Sequence, residues 1–318
     1  MIFNFIKIPA KFAIKIYCRH LKINNKEILS SNGPLLIACN HPNSFLDAVI
    51  IATIFKKPIY SLARGDSFKN KYIAKILKAL NILPVYRISE GAENLNNNYD
   101  TFAKCREIFK KNGIVLIFSE GLCINEWKLR PLKKGTARLA FSSWEEGIDL
   151  TILPTGINYH SFRSFGKNVA INFGKPFKRR DLEISAFDGK AVNLFNSTLK
   201  NELFPLVHHF ETSDLLGIQS QFSTRQHSMF RIVLYLPSLL GKWIHAPLYQ
   251  PIQNYSWKKA GKSDHYDSVL VGLLFIFYPF FLSIIAVAIF LLCGKWYWTQ
   301  PFIILPFLAW SFIQLKKG

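Results

Sequence analysis

Residues 34–47 read PLLIACNHPNSFLD, and the change of pattern within them decides how the rest of the chain is read. The first six residues are an apolar run of strand length, and the next eight turn polar, pass a proline and enter a helical pattern at Ser44. Comparable apolar or β-branched runs recur at 58–63 (PIYSLA), 82–86 (ILPVY), 113–118 (GIVLIF), 151–157 (TILPTGI) and 168–173 (NVAINF). Between them, residues 44–55, 67–80, 99–111 and 135–146 have helical periodicity, the last through Ala137, Leu139, Ala140 and Trp144. Parallel neighbours need a crossover between them, so the repeated order predicts an α/β fold with a largely parallel sheet flanked by helices. Functional groups in such folds gather where strands end.

Four strand-end segments carry the chemistry. His41 stands just beyond the first run, where an imidazole can take a proton from an alcohol near neutral pH. Asp47 could hold its tautomer; equally, Ser44-x-x-Asp47 is a helix capping-box pattern. Arg87 follows the 82–86 run, Glu120 and Gly121 follow the 113–118 run, and Pro154 lies within the 151–157 run. Singly, each of these is an ordinary surface charge, turn or strand residue.

The chain has 318 residues, half of them hydrophobic, with 40 Lys and Arg against 20 Asp and Glu, a net charge of +20. This excludes a disordered chain and calls for a polyanionic partner. Residues 268–293 contain no charge and, at about 1.5 Å per residue, are long enough for the ~30 Å core of a bilayer. A second apolar stretch, 296–315, is interrupted by Pro301 and Pro306. Together they predict a transmembrane or re-entrant hairpin. Lys258, Lys259, Lys262, Lys316 and Lys317 flank it while Lys295 alone occupies its turn, which puts both ends and the remaining chain on the cytoplasmic face. Near the N-terminus, Lys7, Lys11, Lys15 and Arg19 recur every four residues, the pattern of an amphipathic helix on anionic lipid. Residues 229–252 are apolar but broken by Arg231, Pro237, Gly241, Lys242 and Pro247, which suits an interfacial connector. The resulting organisation is a surface helix over 1–26, a catalytic domain over 27–225, a connector over 226–267 and a hairpin over 268–318. A nucleic-acid partner is not expected, because the basic residues cluster at membrane-facing segments and no basic-aromatic recognition motif is present. The five cysteines form no C-x-x-C pair and should be reduced thiols, and His208 and His209 have no partners at metal-ligand spacing.

In this order and spacing, the strand-end segments resemble the glycerophospholipid acyltransferase family over about residues 34–176. Asn40, His41 and Asp47 are similar to its first motif, Arg87 to its second, Phe118-Ser119-Glu120-Gly121 with Lys133, Lys134 and Gly135 downstream to its third, and Pro154 to its fourth. The resemblance implies a membrane-bound O-acyltransferase in which His41, oriented by Asp47, is the general base. Asn40, Arg87, Glu120, Gly121, Lys133, Lys134 and Pro154 would surround the substrate. The donor would be acyl-CoA or acyl carrier protein, without metal or redox cofactor. The acceptor would be a lysophospholipid, 1-acyl-sn-glycerol-3-phosphate first, with glycerol-3-phosphate or dihydroxyacetone phosphate as the alternative; a non-catalytic lipid-binding protein is the competing class. Two departures bear on this reading: five residues rather than four separate His41 from Asp47, and Leu122 and Cys123 stand where the family has Thr and Arg.

Overall fold

The computed structural model describes residues 2–86, 97–183, 188–211, 213–223, 228–293 and 295–316. All six predicted runs are strands. They are β2 (Leu35–Cys39), β3 (Ile59–Arg64), β4 (Ile82–Val85), β5 (Ile114–Phe118), β6 (Thr151–Tyr159) and β7 (Lys167–Phe173), joined by an additional β1 (Cys18–Ile23). They form one seven-stranded sheet in the order β1-β7-β6-β2-β5-β3-β4. Strands β6, β2, β5, β3 and β4 are mutually parallel, whereas β7 pairs antiparallel with β6 and parallel with β1. The sheet is thus largely parallel, as expected, with one reversed edge.

Alternation along β2 shows why the sheet is covered on both faces. Leu35, Ile37 and Cys39 pack with α1 (Ile2–Tyr17) and α2 (Phe45–Ile54), in a core that includes Tyr17, Leu46 and Ile50. Leu36 and Ala38 face the opposite core, built from α4 (Asn97–Lys110), α5 (Gly135–Glu145) and α6 (Gly189–Leu203) around Phe109, Trp144 and Phe195. A strand apolar on both sides requires this double cover. Between β3 and β4, the helix predicted over 67–80 begins later, as α3 (Lys71–Ala79), because the Asn70 side chain caps it by accepting from the amides of Tyr72 and Ile73.

The single surface helix expected over 1–26 requires correction. Helix α1 stops at Tyr17 and the chain continues as β1, since the β7 edge offers a ladder from Lys167 to Ile171 that the segment satisfies as a strand. The four-residue basic stripe also divides. Lys7 turns inward to the carbonyls of Phe55 and Lys56, and Arg19 donates to the carbonyl of Lys316. Lys11 and Lys15 remain exposed beside Phe5, Ile8 and Phe12.

Beyond α7 (Leu215–Phe222) come three long helices, α8 (Ser228–Ala260), α9 (Tyr266–Cys293) and α10 (Pro301–Leu315). Despite Pro237, Pro247 and Pro251, the connector is one helix of 33 residues. Each proline removes a helical donor, and packing along α10 holds the segment helical. At Gly241 a Cβ would stand 2.2 Å from the Leu308 carbonyl oxygen, so only glycine permits that approach. Residues 266–292 and 297–315 are each long and apolar enough to cross a membrane. The α9 side chains of Ile276, Phe280, Ile284, Leu291 and Leu292 are exposed.

Candidate active site

Strand register builds the site. Cys39 pairs with Phe118 on one side and Thr155 on the other, so the residues two further on converge, His41 and Glu120 just past the ends of β2 and β5 and Ile157 within the longer β6. The amide of His41 donates to Glu120 Oε2 at 2.8 Å. Asn40 joins the third strand through both ends of its amide: Nδ2 donates to the Ile157 carbonyl at 3.1 Å, and Oδ1 accepts from the Ile157 amide at 2.8 Å. Asn40 is therefore a buried brace between strands rather than a group open to substrate.

His41 Nδ1 lies 2.9 Å from Asp47 Oδ2. Asp47 is fully buried in the first turn of α2 and also accepts from the Asn43 amide at 2.8 Å and the Tyr159 hydroxyl at 2.6 Å. A helix N-terminus favours the negative charge. Burial first, then Asp47 beside it, push the Tyr159 phenol well above its usual range, so it remains a donor. The capping-box alternative is not what forms, because Ser44 makes no side-chain cap and Asp47 reaches past it to Asn43 and His41. The imidazole stacks on Phe118 with ring centroids 3.8 Å apart and 12° between planes. With Nδ1–H committed to a carboxylate, Nε2 carries the lone pair available to a substrate hydroxyl.

Glu120 Oε1 accepts from the Arg130 amide at 2.8 Å, so each oxygen of this carboxylate is bonded to a backbone amide. Burial raises its pKa above the ordinary carboxylate value. It ties the His41 loop to the 130–134 segment, with both of its oxygens bonded to backbone amides. Gly121 follows at φ +65°, a left-handed turn where a Cβ would press on Lys133. Lys133 and Lys134 are exposed immediately before α5, while Arg130 is paired with Glu126. Pro154 is buried in β6 opposite Ala38, a position without a β7 ladder partner, and is part of the sheet rather than the substrate surface. Arg87 lies outside the described residues. Cys18, Cys39 and Cys105 are free, buried thiols, and Cys123 is a free thiol whose pKa burial raises.

Several residues essential to this geometry escape the sequence reading, namely Asn43, Tyr159, Lys167 and Asp267. Asp267 had a visible signal, a carboxylate immediately before a 26-residue uncharged run. Buried Asp267 accepts from the Tyr17 hydroxyl at 2.7 Å, from Asn43 Nδ2 at 3.0 Å and from the ammonium of Lys167, which is itself buried. Burial lowers the pKa of Lys167 and the facing carboxylate opposes that shift. Among the described residues, no group of three or more His, Cys, Asp or Glu is placed to hold a metal.

A mostly parallel α/β sheet with a buried carboxylate and a histidine paired at its strand ends is the part of the chain where its similarity to known proteins lies. The family model described as Acyltransferase matches residues 20–158. The 1-acyl-sn-glycerol-3-phosphate acyltransferase of Bacillus subtilis is 29% identical over 121 residues, covering 38% of this chain and 56% of that protein. A chloroplastic 1-acyl-sn-glycerol-3-phosphate acyltransferase of Brassica napus is 24% identical over 127 residues, covering 40% of this chain and 35% of that protein. The crystal structure of the 1-acyl-sn-glycerophosphate acyltransferase of Thermotoga maritima aligns with a TM-score of 0.46 at 13% identity, covering 70% of this chain and 81% of that one. The chain thus spans about half the length of the first curated relative and about a third of the second. Residues 20–158, less than half of the chain, are therefore similar to the acyltransferase family.

Proposed function

We propose that the protein is a membrane-attached O-acyltransferase that moves a fatty acyl group from an acyl thioester, acyl-CoA or acyl carrier protein, to the hydroxyl of a glycerophosphate lipid precursor. The observation that carries this reading is the His41–Asp47 pair at 2.9 Å, with Nδ1 committed and Nε2 left for substrate. Nε2 takes the proton from the acceptor hydroxyl as its oxygen attacks the thioester carbonyl. The resulting tetrahedral adduct breaks its C–S bond, the ester stays on the acceptor, and the leaving thiolate recovers the proton from the imidazolium. No side chain is acylated in this sequence. Lys133 and Lys134 hold the acceptor phosphate as point charges. Helices α9 and α10 keep the domain at the cytoplasmic face, where an acyl donor from solution and a lipid acceptor from the bilayer meet.

The acceptor proposed first is 1-acyl-sn-glycerol-3-phosphate, which the names of both curated relatives support. The five-residue interval between His41 and Asp47 favours glycerol-3-phosphate as the second candidate. A thiol-release assay with palmitoyl-CoA and the nanodisc-held chain tests the reading. Release should require one of these acceptors and should fall by about 10² to 10⁴-fold in His41→Ala. Lipid binding without acceptor-dependent release, or near-normal release from His41→Ala, would overturn it.

A further inference from the structure

The turn carrying His41 is also gripped from the far end of the chain, by residues outside the region that the acyltransferase family model covers. Three consecutive residues of the turn are reached from the start of α9 or the turn before it, Asn43 and Ser44 directly and Pro42 through Asn125. Pro42 offers its carbonyl to Asn125 Nδ2 at 2.7 Å, and the Asn125 amide donates to Asp264 Oδ1 at 3.0 Å. Asn43 Nδ2 donates to Asp267 Oδ2 at 3.0 Å while the amide of the same residue donates to Asp47. Ser44 Oγ lies 2.7 Å from His265 Nδ1, and the Ser44 amide donates to Cys123 Sγ at 2.9 Å.

Ser44 shows why the turn needs such support. Its φ of 54° is left-handed, a conformation that a non-glycine residue adopts only when its surroundings impose it. The turn is also one residue longer than the family pattern that the sequence resembles, so the short loop alone does not set the angle between His41 and Asp47. Asp267 is in turn fixed by Lys167 and Tyr17, both buried. Burying an ion pair is a poor way to gain stability, because desolvation offsets the attraction. It is a good way to hold one carboxylate oxygen at one place.

We propose that Asp264, His265 and Asp267 form a clamp that positions the catalytic dyad, so that the membrane hairpin completes the active site. These are positioning residues: they reach the reacting groups only through Pro42, Asn43 and Ser44. The proposal rests on the acyltransferase reading for its kinetic consequence but not for its structural one.

Two variants of the full chain in nanodiscs test it. Asn43→Ala removes the side-chain link to Asp267 while keeping the amide that serves Asp47, and Asp264→Ala removes the carboxylate that accepts from the Asn125 amide, leaving only the longer 3.4 Å contact of Asn125 Nδ2 with the Asp264 carbonyl. Each should lower kcat by about tenfold or more with both KM values within about twofold, the signature of a lost transition-state geometry rather than lost binding. Amide hydrogen exchange over residues 40–46 should accelerate, with β2 and β5 unchanged. Unchanged kcat in both variants would overturn the clamp. So would a loss of kcat that merely follows a lowered melting temperature and recovers on cooling. If the unaltered chain releases no thiol with any acceptor, the functional reading fails and exchange alone decides: acceleration at 40–46 supports the clamp, and unaltered exchange removes it.

Discussion

The His41 turn and the Lys133–Lys134 segment lie on the two sides of Glu120, and folding treats them in opposite ways. In the first, the carboxylate of Asp47, both ends of the Asn40 amide and the amides of His41, Asn43 and Ser44 all have fixed partners. In the second, the lysines are exposed, and among the described residues neither enters an ion pair. The contrast separates two tasks. The groups proposed to move a proton are set at fixed angles by burial and hydrogen bonds, which would preorganise them at no further reorganisation on reaction. The groups proposed to meet a phosphate are point charges on flexible stems, which tolerate acceptors of different size.

Substitutions in the two regions should therefore differ in kind as well as size. The largest effect is expected at Asp47→Asn. Three donors converge on Asp47, and an amide replaces one of its acceptor oxygens with a donor that opposes them. Acceptor-dependent thiol release should fall by about 10²-fold or more, with the chain still folded. Activity close to that of the unaltered chain would show that the rigid turn does not carry the chemistry. Glu120→Gln should come next, because one of the two backbone amides it serves would then face an NH₂ group. A loss of about 1 to 3 kcal/mol is expected in denaturant unfolding.

The pH dependence of that loss has a definite sign. Burial raises the Glu120 pKa above its ordinary 4.5, so the folded chain keeps this proton to higher pH than the unfolded one. The carboxyl's contribution is fullest below 4.5 and declines as pH rises through the raised value, so the stability gap to Glu120→Gln should narrow from acid towards neutral pH. The smallest effect belongs to Lys133→Ala and Lys134→Ala. Each should raise the acceptor KM by roughly three- to tenfold with little change in kcat, and should leave stability within about 0.5 kcal/mol. A fall in kcat without a change in KM would place these lysines with the turn and dissolve the contrast.

Much of the fold is legible locally, because double-sided burial makes β2, β5 and β6 continuous apolar runs and the helices between them are periodic. His41 and Asp47 are legible for the same reason, since a strand-to-helix junction fixes where they stand. What the sequence hides is decided at long range. Cys18–Ile23 becomes a strand only because the β7 edge is there to receive it. Glu120 and Asn40 look like ligand groups until the register shows their oxygens turned to neighbouring backbone. Only the arrival of Asp267 explains the burial of Lys167.

That last pairing also bears on the order in which the molecule can be made. Asn43 meets Asp267 across 224 positions of chain, Tyr17 meets the same carboxylate across 250, and Arg19 meets the carbonyl of Lys316 across 297. Contacts of such separation close late. On a ribosome adding about 5 to 20 residues per second, the sheet strands emerge well before the two apolar helices long enough to cross a membrane. The nascent domain therefore spends that interval with Asn43 and Lys167 lacking their acidic partner, and gains its final geometry only once the first hydrophobic helix has begun to emerge.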